Sequence, residues 1–262
     1  QGAPGVGKTF MAKRIAYSMM GLQDNSRVQM VQFHQSYSYE DFVVGYRPTS
    51  TGFDLEYGPF YTFCKKAEES NEPHFFIIDE INRGNLSKIF GELLMLIEHD
   101  KRQECLKLLY SNEDFSVPEN VYIIGMMNTA DRSLALIDYA LRRRFAFFDI
   151  RPAFDNEGFK NHISKSANPK MVNRLISCVK RLNEAISGDE ALGAGFEIGH
   201  SYFCTSPIRE ALDESETTMN QWMNMTVEYE LIPLIKEYWF DDPDKVSEWS
   251  EALREAKKAI DD

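Results

Sequence analysis

The stretch Gly2-Ala3-Pro4-Gly5-Val6-Gly7-Lys8-Thr9 constrains this chain more than any other. It fits G-x-x-x-x-G-K-[ST], in which glycines let backbone N–H groups wrap phosphate oxygens, the lysine reaches the outer phosphates and the threonine hydroxyl meets Mg²⁺. The next ten residues have helical periodicity, with Phe10, Met11, Ile15, Ala16 and Met19 on one side and Lys13 and Arg14 on the other. The phosphates are then expected at a helix N-terminus. Gly5, Val6, Gly7, Lys8, Thr9 and Phe10 are the expected nucleotide-binding residues, with Thr9 also a metal ligand. The bland alternative is a glycine-rich turn leading into a helix. Such a loop ordinarily succeeds a buried parallel strand, and only Gln1 precedes Gly2. The expectation is that a first strand, and any upstream domain, lie outside this sequence.

At 262 residues and 43% hydrophobic content, the chain can bury one large core or two modest ones. The net charge of −12 is uneven: residues 1–151 carry 17 basic and 20 acidic side chains, and residues 152–262 carry 12 and 21, giving −3 and −9. That balance is not the basic footprint of a nucleic-acid-binding domain. Cys64, Cys105, Cys178 and Cys204 are widely spaced, as expected of reduced cytoplasmic thiols. No signal peptide or long apolar run is present, so no membrane association is expected. His34, His74, His99, His162 and His200 show no paired ligand spacing.

Strand and helix signals alternate along the first half. Residues 28–33 read as a strand, and Ser38 as the N-cap of a short helix with acids in its first turn. Thr51-Gly52 reads as a hairpin tip, with Phe53, Tyr57 and Phe60 either gripping substrate or packing on the next helix. Residues 58–70 read as a helix. Phe75-Phe76-Ile77-Ile78-Asp79-Glu80 is an apolar run closing in two acids, the pattern of a strand buried on both faces. Residues 86–96 read as a helix, 101–118 as an exposed hairpin and 121–127 as another buried strand. A short helix over 133–141, three arginines and a fifth strand over 145–150 complete the half. A domain boundary is expected at Arg151-Pro152, dividing an α/β core with a parallel sheet flanked by helices (1–151) from a mostly helical lid subdomain (152–262). Within the lid, 157–166, 169–187, 217–239 and 244–260 read as helices and 198–203 as a short β-prone segment.

Hydrolysis of a nucleoside triphosphate requires charge neutralisation, a placed water and an electrophilic partner for the γ-phosphate. Lys8 and the loop amides supply the first, and Thr9 with Asp79 is the expected Mg²⁺ set. Glu80 is the expected water-polarising base; two adjacent acids ending an apolar strand are costly without a cation. Asn128, at the end of the next strand, is placed to orient the water, the alternative being a helix cap. Arg143 and Arg144 are expected to act as fingers on a neighbouring subunit's nucleotide, the alternative being a solvated surface run. A finger acting across a head-to-tail interface implies a closed ring. His200, in a glycine-flanked lid segment, either approaches the nucleotide or is a core histidine.

Taken together, GAPGVGKTF, VQFHQSYSYEDFVVGYRP, FFIIDEINRGNLSKIFGELLMLIEHDKR, VPENVYIIGMMNTADRSLALIDYALRRRF and GHSYF resemble the AAA+ motor domains of the McrB family, the P-loop subunits of modified-cytosine restriction systems. The resemblance covers nearly the whole chain, and MNTADRS and ALRRRF are more distinctive than the phosphate loop. It implies a GTPase forming hexameric rings, stimulated by a McrC-like nuclease subunit and driving DNA translocation before cleavage, with DNA recognised mainly through a separate N-terminal domain. It carries phosphate binding to Gly7, Lys8 and Thr9, metal and water activation to Asp79 and Glu80, water positioning to Asn128, and the trans role to Arg143 or Arg144. Asn128-Thr129-Ala130-Asp131 imitates a guanine-reading N-K-x-D without its lysine, so Asp131 is either a guanine contact or a structural or interface residue. The residues alone indicate a nucleoside triphosphate, GTP or ATP; the family indicates GTP. Dynein-related and MoxR-like ATPases that remodel proteins share the core motifs and are the alternative. A nucleotide-gated scaffold without useful hydrolysis is a third reading, opposed by Glu80.

Overall fold

The computed structural model describes residues 1–131, 142–164, 169–204 and 216–258, which fall into two compact units: Gln1 with Lys8–Phe148, and Gly2–Gly7 with Asp149–Asp262. The first is built on a parallel sheet of three strands in the order β1-β4-β7. In chain order its elements are α1 (Lys8–Met20), β1 (Val28–Gln32), α2 (Tyr39–Phe42), β2 (Val44–Thr49), β3 (Gly52–Tyr57), α3 (Pro59–Glu68), β4 (His74–Asp79), α4 (Leu86–Phe90), α5 (Leu93–Leu96), β5 (Leu106–Lys107), β6 (Asp114–Phe115) and β7 (Val121–Gly125).

β4 is central, and its four apolar residues Phe75 to Ile78 are wholly buried. Side chains alternate across a strand, so Phe76 and Ile78 enter one cluster while Phe75 and Ile77 meet α1 on the other face. The first face is aromatic: Phe42 stacks on Phe60 at 4.8 Å and meets Phe90 edge-on at 4.9 Å, and Phe60 meets Phe76 at 5.1 Å. Such rings combine large buried area with preferred edge-to-face geometry.

Two expectations for this half are corrected, and the packing side of α1 is not its apolar stripe: Phe10, Met11, Ile15 and Met19 are exposed, and of that side Ala16 is buried, together with Ala12 and Met20. The bulk on that face comes from Phe75 and Ile77, so short alanines let the helix close on the sheet. The helix expected over 86–96 is broken into α4 and α5 at Gly91, whose φ of 51° and ψ of −130° suit glycine. The strand expected over 145–150 is reduced to one parallel bridge, Ile150 with Gly2. In a parallel pair residues 145–149 run alongside the chain before Gly2, and there the Gln1 amino group donates to the Phe148 carbonyl at 2.7 Å. Other readings hold: Ser38 precedes α2, its N–H and hydroxyl both donating to Asp41 Oδ2. β2 and β3 form a hairpin closing at Thr49–Gly52. Phe60 is core, Tyr57 stacks on Tyr61 of α3 at 4.2 Å, and Phe53 is exposed. The helix expected over 133–141 lies outside the described residues.

The second unit is helical: α6 (Glu157–Ser164), α7 (Pro169–Gly188), α8 (Glu216–Met225), a π turn (Thr226–Leu231), α9 (Ile232–Tyr238) and α10 (Pro243–Ala256). Leu175, Val179, Leu182 and Ile186 recur along one face of α7 and bury with Trp222, Val227, Leu231, Ile235, Trp239 and Leu253. The widened π turn runs up to α9, where Pro233 has no N–H to give the preceding turn. The segment expected to be β-prone, 198–203, is instead a 3₁₀ turn over His200–Phe203, because its backbone groups are taken by distant partners. The four cysteines are free thiols, Cys64 and Cys178 buried. Among the described residues no helix is long and apolar enough to cross a membrane.

Candidate nucleotide site

Gly5 and Gly7 have φ values of 75° and 80°, a region L-residues avoid. The loop between them is gripped from outside. Gly199 N–H donates to the Pro4 carbonyl at 3.1 Å, and Ser201 N–H donates to the Gly5 carbonyl at 2.8 Å. A Cβ on Gly199 would stand 1.9 Å from the Gly5 carbonyl carbon, so only glycine permits this approach. A Cβ on Gly5 would likewise strike the Tyr202 ring at 2.6 Å. Ile198 is held in turn by Asn183 of α7, whose Nδ2 donates to the Ile198 carbonyl at 2.9 Å and whose Oδ1 accepts from its N–H at 2.7 Å. With these N–H groups committed, the segment cannot extend into a strand ladder. This is the physical reason it turns.

His200 belongs to this grip. Its Nδ1 accepts the Ala153 N–H at 3.1 Å, and burial lowers its pKa, favouring the neutral ring with the proton on Nε2. Nε2 lies 3.9 Å from where a Cβ on Gly7 would stand. His200 thus offers an N–H donor to the phosphate loop, although Phe154 and Phe159 also pack edge-on against its ring.

In the α/β unit, parallel pairing sets the acids at the carboxyl edge of the sheet. Asp79 is level with Gln32 of β1, and hydrogen bonds continue beyond the strands: Phe33 N–H to the Asp79 carbonyl at 2.9 Å and Ile81 N–H to the Met126 carbonyl at 3.0 Å. Ligands of open parallel sheets bind at this edge. Glu80 turns the chain with φ 51° and ψ 45°, left-handed for a residue with a Cβ. Backbone outliers of this kind cost about 1–3 kcal/mol and cluster at functional sites. Lys8, at the start of α1, is partly buried; desolvation lowers its pKa, and the charges of Glu80 and Asp79 oppose that shift. Within this unit, an ammonium that feels the charges of two carboxylates suits a metal-bound polyphosphate, since Mg²⁺ takes few protein ligands and shares the rest with phosphate. The described residues contain no group of three or more His, Cys, Asp or Glu that could hold a metal ion. Thr9 and Phe10 are exposed, with the Arg14 guanidinium 4.9 Å from the Phe10 ring centroid.

Asn128 lies beyond β7 and accepts the Ala130 N–H at 3.4 Å, shaping a tight turn. Asp131, on the same turn, pairs with Arg83 at 2.6 Å. The two arginines differ. Arg144, with 7% of its side chain exposed, pairs with Glu98 at 2.5 Å, whereas Arg143 is 69% exposed and reaches the same carboxylate at 3.5 Å. Sequence reasoning passed over Arg83, and also Asn82, which is buried with an unbonded Oδ1. The available signal was an arginine three residues after Glu80, one tight turn away.

Comparison with known proteins adds to this geometry. Residues 1–145 match the AAA domain of the dynein-related subfamily, and residues 174–247 match the McrB alpha-helical lid domain. Over 261 residues the chain is 54% identical to the Type IV methyl-directed restriction enzyme EcoKMcrB subunit of Escherichia coli K12, covering 97% of this chain and 56% of that protein. It is 29% identical over 188 residues to the Type II restriction enzyme BsuMI component YdiS of Bacillus subtilis 168, covering 56% of this chain and 54% of that protein. The chain spans little more than half the length of either relative.

Proposed function

Because this chain belongs to the dynein-related AAA family and carries an McrB-type helical lid, we propose that it is the nucleoside-triphosphate-hydrolysing motor of a McrB-like restriction subunit, with GTP as its fuel. The observation that carries the reading is Lys8, which follows the glycine-rich loop in sequence and feels the charges of Glu80 and Asp79 at the carboxyl edge of β4. Lys8 and the loop amides bind the β- and γ-phosphates. Thr9 and Asp79 would hold Mg²⁺, which when bound supplies charge neutralisation at the phosphates. Glu80 polarises the attacking water, and Asn128 orients it from the neighbouring strand end. His200 adds a neutral N–H donor toward the loop.

Arg143 is the better of the two candidate fingers, because its guanidinium is exposed while that of Arg144 is committed to Glu98. A finger in trans implies a ring of subunits, and the 54% identity to a restriction-enzyme subunit supports a nuclease partner and DNA as the cargo. Asp131 is held by Arg83, which favours its structural role over a guanine contact.

The test is steady-state turnover of GTP and of ATP by the full-length protein with Mg²⁺. GTP is expected to be the better substrate, and Glu80→Gln is expected to lower kcat by about 100-fold or more while nucleotide affinity persists. A clear preference for ATP sinks the fuel assignment. Undiminished turnover by Glu80→Gln sinks the assignment of the base.

A further inference from the structure

We infer that Arg83 is a positioning residue that ties Glu80 to the turn carrying Asn128, so that base and water-orienting amide move as one. This rests on the reading of Glu80 as the base.

Arg83 is fixed to Glu80 twice. Its backbone N–H donates to the Glu80 carbonyl at 2.8 Å, closing the 3₁₀ turn Ile81–Arg83, and its Nε lies 3.3 Å from Glu80 Oε2. That oxygen is buried and makes no hydrogen bond, so the guanidinium charge compensates it together with that of Lys8. The other end of the fork, Nη2, holds Asp131 Oδ2 at 2.6 Å. Asp131 and Asn128 share the turn after β7, which the Ala130 N–H to Asn128 Oδ1 bond closes. One planar guanidinium therefore bridges two carboxylates from different strand ends, a task that suits the arginine fork and not the point charge of lysine.

An exposed ion pair by itself contributes little. This one differs because removing Arg83 takes away the cation shared by two partly buried carboxylates and leaves Lys8 acting on Glu80 alone. Their repulsion would push the Glu80 carboxylate and the Asn128 turn apart. A displacement on the order of 1 Å from productive geometry can cost about 100-fold in rate.

The experiment measures kcat, KM, the affinity for a fluorescent GTP analogue and the melting temperature of the full-length protein. Arg83→Ala is expected to lower kcat by about 100-fold with KM and analogue affinity within about twofold of wild type. Asp131→Asn is expected to lose about tenfold, and the double variant to be no slower than Arg83→Ala, because both act on one linkage. Arg83→Lys should recover part of the loss. Equal falls in melting temperature and analogue affinity alongside kcat would mark a merely structural role and overturn the inference. So would an Arg83→Ala rate within about twofold of wild type, or a double variant whose losses multiply. If Arg83→Ala fails to fold, wild-type turnover by Asp131→Asn overturns it equally. Glu80→Gln in the same assay separates the two readings: an inert Glu80→Gln beside a near-wild-type Arg83→Ala removes only the linkage, whereas an active Glu80→Gln removes both.

Discussion

The two units hold their functional groups by different physical means. In the α/β unit, Asp79, Glu80 and Asn128 stand at strand ends, and their positions are set by a parallel ladder whose register is locked by fully buried Phe75 to Ile78. In the helical unit, the residues that reach the phosphate loop lie on an irregular turn, placed by Asn183 and by the missing side chain of Gly199. A ladder spreads positional information over many equivalent bonds. A clamped turn concentrates it in one amide and one glycine, so the helical unit's site is the more vulnerable to single substitutions.

The largest expected stability effect tests the ladder side. Phe42 sits among Phe33, Phe60, Phe76 and Phe90, and none of its surface is exposed. Phe42→Ala should cost about 3–5 kcal/mol in urea unfolding. Because no single ring sets the register of β4, the residual folded protein should keep its nucleotide affinity within about threefold, since volume lost beneath a sheet need not shift its edge. Asn183→Ala reverses the pattern. It removes two short hydrogen bonds from a buried site and leaves the Ile198 N–H and carbonyl unpaired, costing about 2–3 kcal/mol. It should nonetheless weaken binding of a fluorescent GTP analogue more than Phe42→Ala does. The opposite ranking of affinities would break the comparison.

The same contrast decides what was legible in the sequence. The phosphate loop, the greasy run ending in Asp79-Glu80 and the helices of the second unit are written in local pattern, because glycine spacing, two-faced burial and 3.6-residue periodicity leave marks in neighbouring residues. The exposure of Phe10, Met11, Ile15 and Met19 was not legible. Helical periodicity identifies a stripe, but which stripe faces the sheet depends on the bulk that Phe75 and Ile77 already supply. The turn at His200–Phe203 was misread as β-prone because its hydrogen-bond partners, Pro4, Gly5 and Asn183, are far away in sequence. Arg83 escaped notice for a similar reason, since half of its role lies with Asp131, 48 residues on.

The smallest effect concerns acid. Two carboxylates of the helical unit are held near a pKa of 2. Asp189 accepts from Lys245 at 2.9 Å, from Trp239 Nε1 at 2.8 Å and from the Ala191 N–H at 2.9 Å, which hold its pKa at about 2. Glu228, also at about 2, accepts from Arg254 at 2.9 Å and from Lys257 at 2.7 Å. Depressed carboxylates stabilise the fold fully above their ordinary values, 3.8 for Asp189 and 4.5 for Glu228, and lose that contribution as pH falls toward 2. Solvent reaches both pairs, so screening keeps each contribution modest. Urea unfolding of wild type and Asp189→Asn at a series of pH values provides the check. The wild type should be the more stable above pH 4, and the two curves should converge as pH drops toward 2. A gap that stays constant over that range would mean the Asp189 carboxylate acts through shape alone, and that the helical unit is no more dependent on charged pins than the sheet is.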